Sequence, residues 1–369
     1  MDNNFSARSP EIPPPPPPSG FTSPTTAAPS PKNNNGGCFI AVVVACVLGG
    51  VGIAFLCIIS LVFLFSTMAG ISKKPYPSFE EEFISGDFFS KNKIVLIDVK
   101  GIILSEDGST FQTIASARKI CEQLKYLAED PLVKGVVLDI DSPGGEVVAS
   151  DIIHHQIMEL RNKQKIPVVA SMGSLAASGA YYIAASCDYI IANRMTLTGS
   201  IGVIIQNYKY FDLLKKVGVQ NEVFKSGPMK DILNGARPSN IEEQQIIQSL
   251  VENTYNEFVK IVAEGRKGLS VEKIKNSKIG DGRIFDGEEA LELKLLDKLG
   301  FLEDAILKTA EISNLKKNYQ VVRYMDPFSF SKLFKQATGP SRGLSVRLPI
   351  GGKRIEIENG KMYFLPQAF

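Results

Sequence analysis

From Lys93 onward, short runs of apolar, mostly β-branched residues alternate with stretches whose apolar positions recur at helical spacing. Ile94-Val95-Leu96-Ile97-Asp98-Val99 is apolar on both faces of an extended chain, the pattern of a strand covered on both sides. Ile114, Ala117, Cys121, Leu124 and Ala128 then follow a helical period that should close at Asp130-Pro131. Gly135 to Ile140 reads as a second buried strand, followed by a turn at Asp141-Ser142-Pro143-Gly144-Gly145 and a helix running through Leu160. Val168 to Ser171 predicts a third strand, Ala176 to Ala185 a helix of small residues, and Asp188 to Ala192 a fourth strand. Such alternation predicts an α/β domain with a largely parallel sheet. Ser239 to Ala310 is mainly helical, one helix opening at Asp286-Gly287-Glu288-Glu289-Ala290, and beyond about Asn318 the pattern weakens into a Gly/Pro-interrupted tail. No repeat with a period of about 20–50 residues is visible.

The N-terminal part follows different rules. Residues 1–37 are low in complexity, with consecutive prolines from Pro13 to Pro18, and predict a disordered, partly polyproline II head. Cys38 to Ala69 carries no charged side chain and exceeds the about 20 apolar residues that cross a bilayer, which predicts one transmembrane helix. It is too long, and begins too far into the chain, for a cleaved signal peptide. Arg8 and Lys32 precede the span while Lys73 and Lys74 follow it, so charge gives no orientation. The expected organisation is a head over 1–37, a span over 38–69, a juxtamembrane linker over 70–92, a globular domain over 93–318 and a tail over 319–369.

Charge and cysteine content narrow the classes. With 41 basic and 39 acidic residues the net charge is +2, which gives no global basic field for nucleic acid. Of five cysteines, Cys38, Cys46 and Cys57 fall in the apolar span; Cys121 and Cys187 have no metal-ligand spacing and read as buried thiols.

Candidate chemistry centres on Ser178, set among Leu175-Ala176-Ala177-Ser178-Gly179-Ala180, and on Lys230 in Ser226-Gly227-Pro228-Met229-Lys230-Asp231. Small neighbours let a carbonyl approach the serine hydroxyl, and a desolvated lysine can accept its proton. A lysine base near neutral pH needs its pKa lowered by roughly 3 units from about 10.4; burial beside Pro228, Met229, Ile232 and Leu233 would do this, whereas a surface lysine paired with Asp231 would not. The two histidines, His154 and His155, both precede the serine on one helix, so a Ser–Lys dyad fits better than a Ser–His–Asp triad. The glycines of Asp141-Ser142-Pro143-Gly144-Gly145 would let a ligand reach backbone N–H groups, although a plain strand–helix turn would carry the same glycines. Ser200, in the glycine-punctuated turn Thr198-Gly199-Ser200-Ile201-Gly202, could hydrogen-bond a lysine, a signal equally weak by itself.

Taken in order, Asp139 to Gly145, Met172 to Tyr182, Thr196 to Gly202 and Ser226 to Asp231 resemble the signal peptide peptidase A (protease IV) family in its short, single-unit bacterial form, over about Lys93 to Ile312. Asp281 to Gly287 matches that family's late helix-opening segment. The resemblance implies a Clp-protease/crotonase-like spiral of ββα units, with Ser178 as nucleophile, Lys230 as general base, Gly145 as an oxyanion N–H donor and Ser200 orienting the lysine. The Ser178 amide is the second expected oxyanion donor. The resemblance further implies a single-pass anchor in the cytoplasmic (inner) membrane, an extracytoplasmic catalytic domain, a ring-like homo-oligomer, apolar peptide substrates such as remnant signal peptides, and no metal or other cofactor. A crotonase-type acyl-CoA enzyme would share the fold but need neither Ser178 nor Lys230; a catalytically silent membrane scaffold is the other alternative. The apolar end, Met362-Tyr363-Phe364-Leu365, itself looks like a peptide such an enzyme would bind.

Overall fold

The computed structural model describes residues 79–106 and 113–325, positions 52 and 56–61, and the backbone of 349–350, 353–354 and 363–364. The chain divides into two units, Met1–Lys73 and Lys74–Phe369. In the first, positions 52 and 56–61 are helical. The remainder of the predicted span, and the proline-rich head, lie outside the described residues. Among the described residues no helix is long and apolar enough to cross a membrane.

The second unit is mixed α/β. Its main sheet is built on β2 (Lys93–Lys100), β5 (Val133–Ser142), β7 (Val168–Ala177) and β8 (Tyr189–Ala192), which pair in that order and in parallel. β11 (Lys298–Leu299) extends it beyond β8, and β12 (Gln320–Met325) lies parallel to β2 on the other side. β1 (Glu80–Gly86) closes that edge antiparallel to β12. Side chains alternate across each strand, and the core splits accordingly into two layers. Val95, Ile97 and Val99, with Val136, Leu138 and Ile140, pack under α1 (Ala117–Ala128), α2 (Val147–Glu159) and α3 (Gly179–Ala184). Ile94, Leu96, Val137 and Val169 face α8 (Leu302–Ile312) through Ala305, Ile306 and Ala310. Two covered faces explain why these strands are apolar throughout.

Element limits differ from the sequence expectation where short-range chemistry competes with period. Ile114 belongs to a strand, β4 (Ile114–Ser116), parallel to β3 (Ile102–Leu104); α1 starts only at Ala117 because the Ser116 hydroxyl caps the Lys119 N–H. Strand β7 runs through Ala176 and Ala177, expected to be helical, and α3 begins at Gly179. Glu80–Gly86 has the polarity of a linker but is the edge strand β1, and Gln320–Met325 lies in the expected tail but fills a place inside the sheet. An edge strand buries little, so its sequence carries no apolar run; β1 is exposed along almost its whole length.

Candidate active site

Ser178 sits between the end of β7 and the start of α3, and its backbone has φ 56° and ψ −118°. A non-glycine residue there costs on the order of 1–3 kcal/mol and persists only when its surroundings over-determine it. Two hydrogen bonds supply that constraint. The Ser178 N–H donates to the Gly199 carbonyl at 2.8 Å, and the Tyr182 N–H donates to the Ser178 carbonyl at 2.9 Å. A sharp, strained strand-to-helix turn is the device that lifts a nucleophile clear of its own backbone. Ser178 is 1 % exposed, and its Oγ has no hydrogen-bond partner among the described residues. A buried hydroxyl without a partner costs about 1–3 kcal/mol, and such exceptions mark places where something else is meant to bind.

The hydrogen bond from the Ser178 N–H to the Gly199 carbonyl corrects one expectation. Since the Ser178 N–H is already committed to a carbonyl, it is not a free donor for an oxyanion.

β9 (Leu197–Gly199) lies parallel to the end of β7, with Ala176 opposite Thr198 and Ala177 opposite Gly199. The Thr198 hydroxyl donates to the Ala176 carbonyl at 2.6 Å, fixing the strand just before the nucleophile. Gly199 has φ +82°, and a Cβ there would stand 2.6 Å from the Phe285 ring. Ser200, next in sequence, is buried and held by its N–H to the Arg283 carbonyl at 2.8 Å. Ser178 and Ser200 are thus brought together through one shared backbone contact. A cavity of about 430 Å³ opens beside Ser200, lined by Ile201, Val203, Val251, Tyr255, Glu252 and Asp281 among others.

Gly145 opens the two-residue strand β6 (Gly145–Glu146), opposite Ile103 of β3, and α3 packs on β6. A Cβ on Gly145 would be 1.9 Å from the Ile103 carbonyl oxygen, so only glycine allows this approach. On its other side, β6 pairs antiparallel with β15 (Tyr363–Phe364): Tyr363 is opposite Glu146 and Phe364 opposite Gly145.

Lys230 is placed differently. It lies in a turn closed by its N–H to the Gly227 carbonyl at 3.2 Å, and its side chain is exposed rather than buried among its apolar neighbours. Nor does it pair with Asp231. Asp231 accepts from Lys225 Nζ at 2.6 Å and from Arg237 Nε and Nη2 at 2.7 Å each, and these partners, Arg237 first, hold its carboxyl well below the usual carboxylate range. Lys230 forms no ion pair and no side-chain hydrogen bond among the described residues, to Ser178 or to any other group. From 202 to 234, the stretch that carries it, no residue is buried.

Arg237 was not singled out by sequence, nor was Glu243; the only local signal was the Asn240–Glu243 spacing of a helix-capping box at the start of α5 (Ile241–Gly265), which the structure forms. The histidines stand apart from this chemistry: His154 packs edge-on to Tyr182, burial lowering its pKa, and His155 is exposed. Cys121 and Cys187 are buried free thiols, and burial pushes the Cys121 thiol up to about 11. Among the described residues no cluster of His, Cys, Asp or Glu has the arrangement of a metal site.

Residues 160–316 match the profile of Peptidase family S49. A Synechocystis sp. protein named as a protease is 46% identical over 226 residues, 61% of this chain and 76% of that protein. An Enterococcus faecium protein bearing the signal peptide peptidase SppA name is 38% identical over 245 residues, 65% of this chain and 70% of the relative. Protease 4 of Haemophilus influenzae is 34% identical over 232 residues, which span 62% of this chain but 36% of that longer protein. Ser178, strained and with a hydroxyl that has no partner among the described residues, lies inside the matching region, and the chain belongs to peptidase family S49, the signal peptide peptidase A (protease IV) family of serine peptidases.

Proposed function

We propose that the protein is a membrane-anchored endopeptidase working through a Ser–Lys dyad, with Ser178 as nucleophile and Lys230 as general base. The observation that carries this reading is the Ser178 turn: a buried hydroxyl, in a strained backbone conformation, without a hydrogen-bond partner among the described residues. In the reaction, the Lys230 amine takes the proton from Ser178 Oγ as it attacks the scissile carbonyl. Lys230 then returns it to the leaving amine, and water resolves the acyl-serine by the same proton path. The developing oxyanion is met by the Gly145 N–H, and Ser200 orients the lysine. No metal or cofactor enters these steps.

Because Lys230 is exposed and has no partner among the described residues, the reading includes assembly: the Lys230 of one subunit serves the Ser178 of its neighbour in a closed ring. Burial at that contact would supply the desolvation the base needs. The cavity beside Ser200 leaves room for such an incoming side chain. Substrates are apolar peptides, remnant signal peptides in particular, met by an extracytoplasmic domain tethered to the cytoplasmic membrane by 38–69. The parallel order β2–β5–β7–β8 with helices on both faces is in keeping with a Clp-protease/crotonase-like spiral.

The test is a peptidase assay of the full chain in detergent beside Ser178→Ala and Lys230→Met, with labelling by a fluorophosphonate probe. Each variant should lose nearly all activity while keeping its fold, the double variant should be little worse than either, and the probe should label Ser178 alone. Appreciable turnover by Lys230→Met would remove the lysine from the mechanism.

A further inference from the structure

Lys230 has a carboxylate for its next neighbour in sequence, and a lysine paired with a carboxylate is held in its charged form, which is useless as a base. The structure shows how that pairing is prevented. Arg237 uses Nε and Nη2 on the two oxygens of Asp231, at 2.7 Å each, and Nη2 also reaches the Asp231 carbonyl at 3.2 Å. Lys225 Nζ takes Asp231 Oδ1 at 2.6 Å as well. On its other side the same guanidinium bonds Glu243, through Nη1 at 2.9 Å and through Nη2, and donates to the Pro238 carbonyl at 2.9 Å. Glu243 is buried at the first turn of α5, where it closes the capping box with Asn240. A planar fork that satisfies two carboxylates at once is a task for arginine and not for lysine.

We infer that Arg237 is a positioning residue for the catalytic base: by occupying both Asp231 and Glu243 it denies Lys230 a counter-ion and ties the Lys230 turn to the start of α5. The charged groups around the turn fit this role. Lys209 straps it from the preceding stretch, donating to the Asn234 carbonyl at 2.9 Å and the Arg237 carbonyl at 3.3 Å, and it brings positive charge. Lys225 brings positive charge from the other side. The carboxylates bonded into the turn, Asp231 and Glu243, are both claimed by Arg237. Among the described residues, no carboxylate bonded into the turn is left over for Lys230. This inference rests on Lys230 being the base.

Arg237→Met releases Asp231 toward Lys230, so the acid limb of kcat/KM against pH should move up by about 1 unit, an opposite charge within reach shifting a pKa by about 1–3 units. Activity at pH 7 should fall about tenfold for each unit of that shift and recover at high pH. Asp231→Asn in the Arg237→Met background should return the limb to its original position, since the released charge is then gone. Lys225→Met removes one Asp231 partner from the surface without touching α5, should shift the limb in the same direction by less, and serves if Arg237→Met does not fold. A merely structural Arg237 would lower activity equally at every pH, or leave the limb where it was; either result in folded protein overturns the inference. Lys230→Met, assayed in parallel, separates the two failures. If it is inactive and the limb does not move, only the role of Arg237 is lost; if it is active, the dyad itself is wrong.

Discussion

Ser178 is held in its strained conformation by a residue far from it in the chain. The strain at Ser178 depends on Gly199, which is 21 positions later in sequence and reaches it through strand pairing. Gly199 should therefore be as sensitive as a catalytic residue. Alanine there would take an unfavourable positive φ, at about 1–3 kcal/mol, and would press its Cβ into the Phe285 ring. Gly199→Ala should lower the urea midpoint and, at temperatures where the variant is still folded, slow fluorophosphonate labelling of Ser178. Labelling at the normal rate in a folded Gly199→Ala protein would show that the carbonyl of residue 199 does not set the serine. Ser178 and Gly145 stand out as candidates from local sequence, small neighbours around a serine and paired glycines after a buried strand, but the Gly199 contact and Arg237 do not, since nothing in an isolated Arg-Pro pair announces a guanidinium shared by two carboxylates six residues to either side.

Elements buried on both faces, such as β2, β5 and the start of β7, were predicted closely because burial writes an unbroken apolar run into the chain. Elements held by pairing rather than burial, such as β1, or inserted from a distant part of the sequence, such as β12, left no comparable mark. The stretch 202–234 is a different case. It contains the short helix α4 (Phe211–Lys216) and apolar residues enough for a core, yet Tyr208, Leu213, Val217, Val219 and Phe224 are all exposed. So many exposed large apolar side chains in one stretch suit a surface that a partner covers. If a second copy covers it and receives Lys230, then inactive Ser178→Ala and inactive Lys230→Met chains, co-expressed, should regain part of the wild-type activity. Mixed assemblies that stay inactive, or a monomer with full activity in sedimentation, would confine both residues to one chain.

At the scale of the whole molecule, the nucleophile turn, the Ser200 segment and the Gly145 strand meet at the C-terminal ends of parallel strands, where α/β folds gather their ligands. The free edge of β6 at this place is taken by β15, the backbone of Tyr363–Phe364 running antiparallel beside Gly145–Glu146. An extended segment added to a sheet edge is how many proteins bind peptides, and here the segment comes from the chain's own apolar end. Tethering within one chain raises its effective concentration at this edge, enough to compete with a dilute substrate. The last residues should thus act as a built-in competitor at the Gly145 edge and, where they reach Ser178, as a substrate. Intact-mass measurement should find C-terminal residues missing from active protein and retained in Ser178→Ala. Deletion of 355–369 should raise the initial rate on a dilute apolar peptide, chiefly by lowering the apparent KM. If both proteins keep the full sequence and the deletion leaves KM unchanged, β15 is only an edge strand that closes the small sheet.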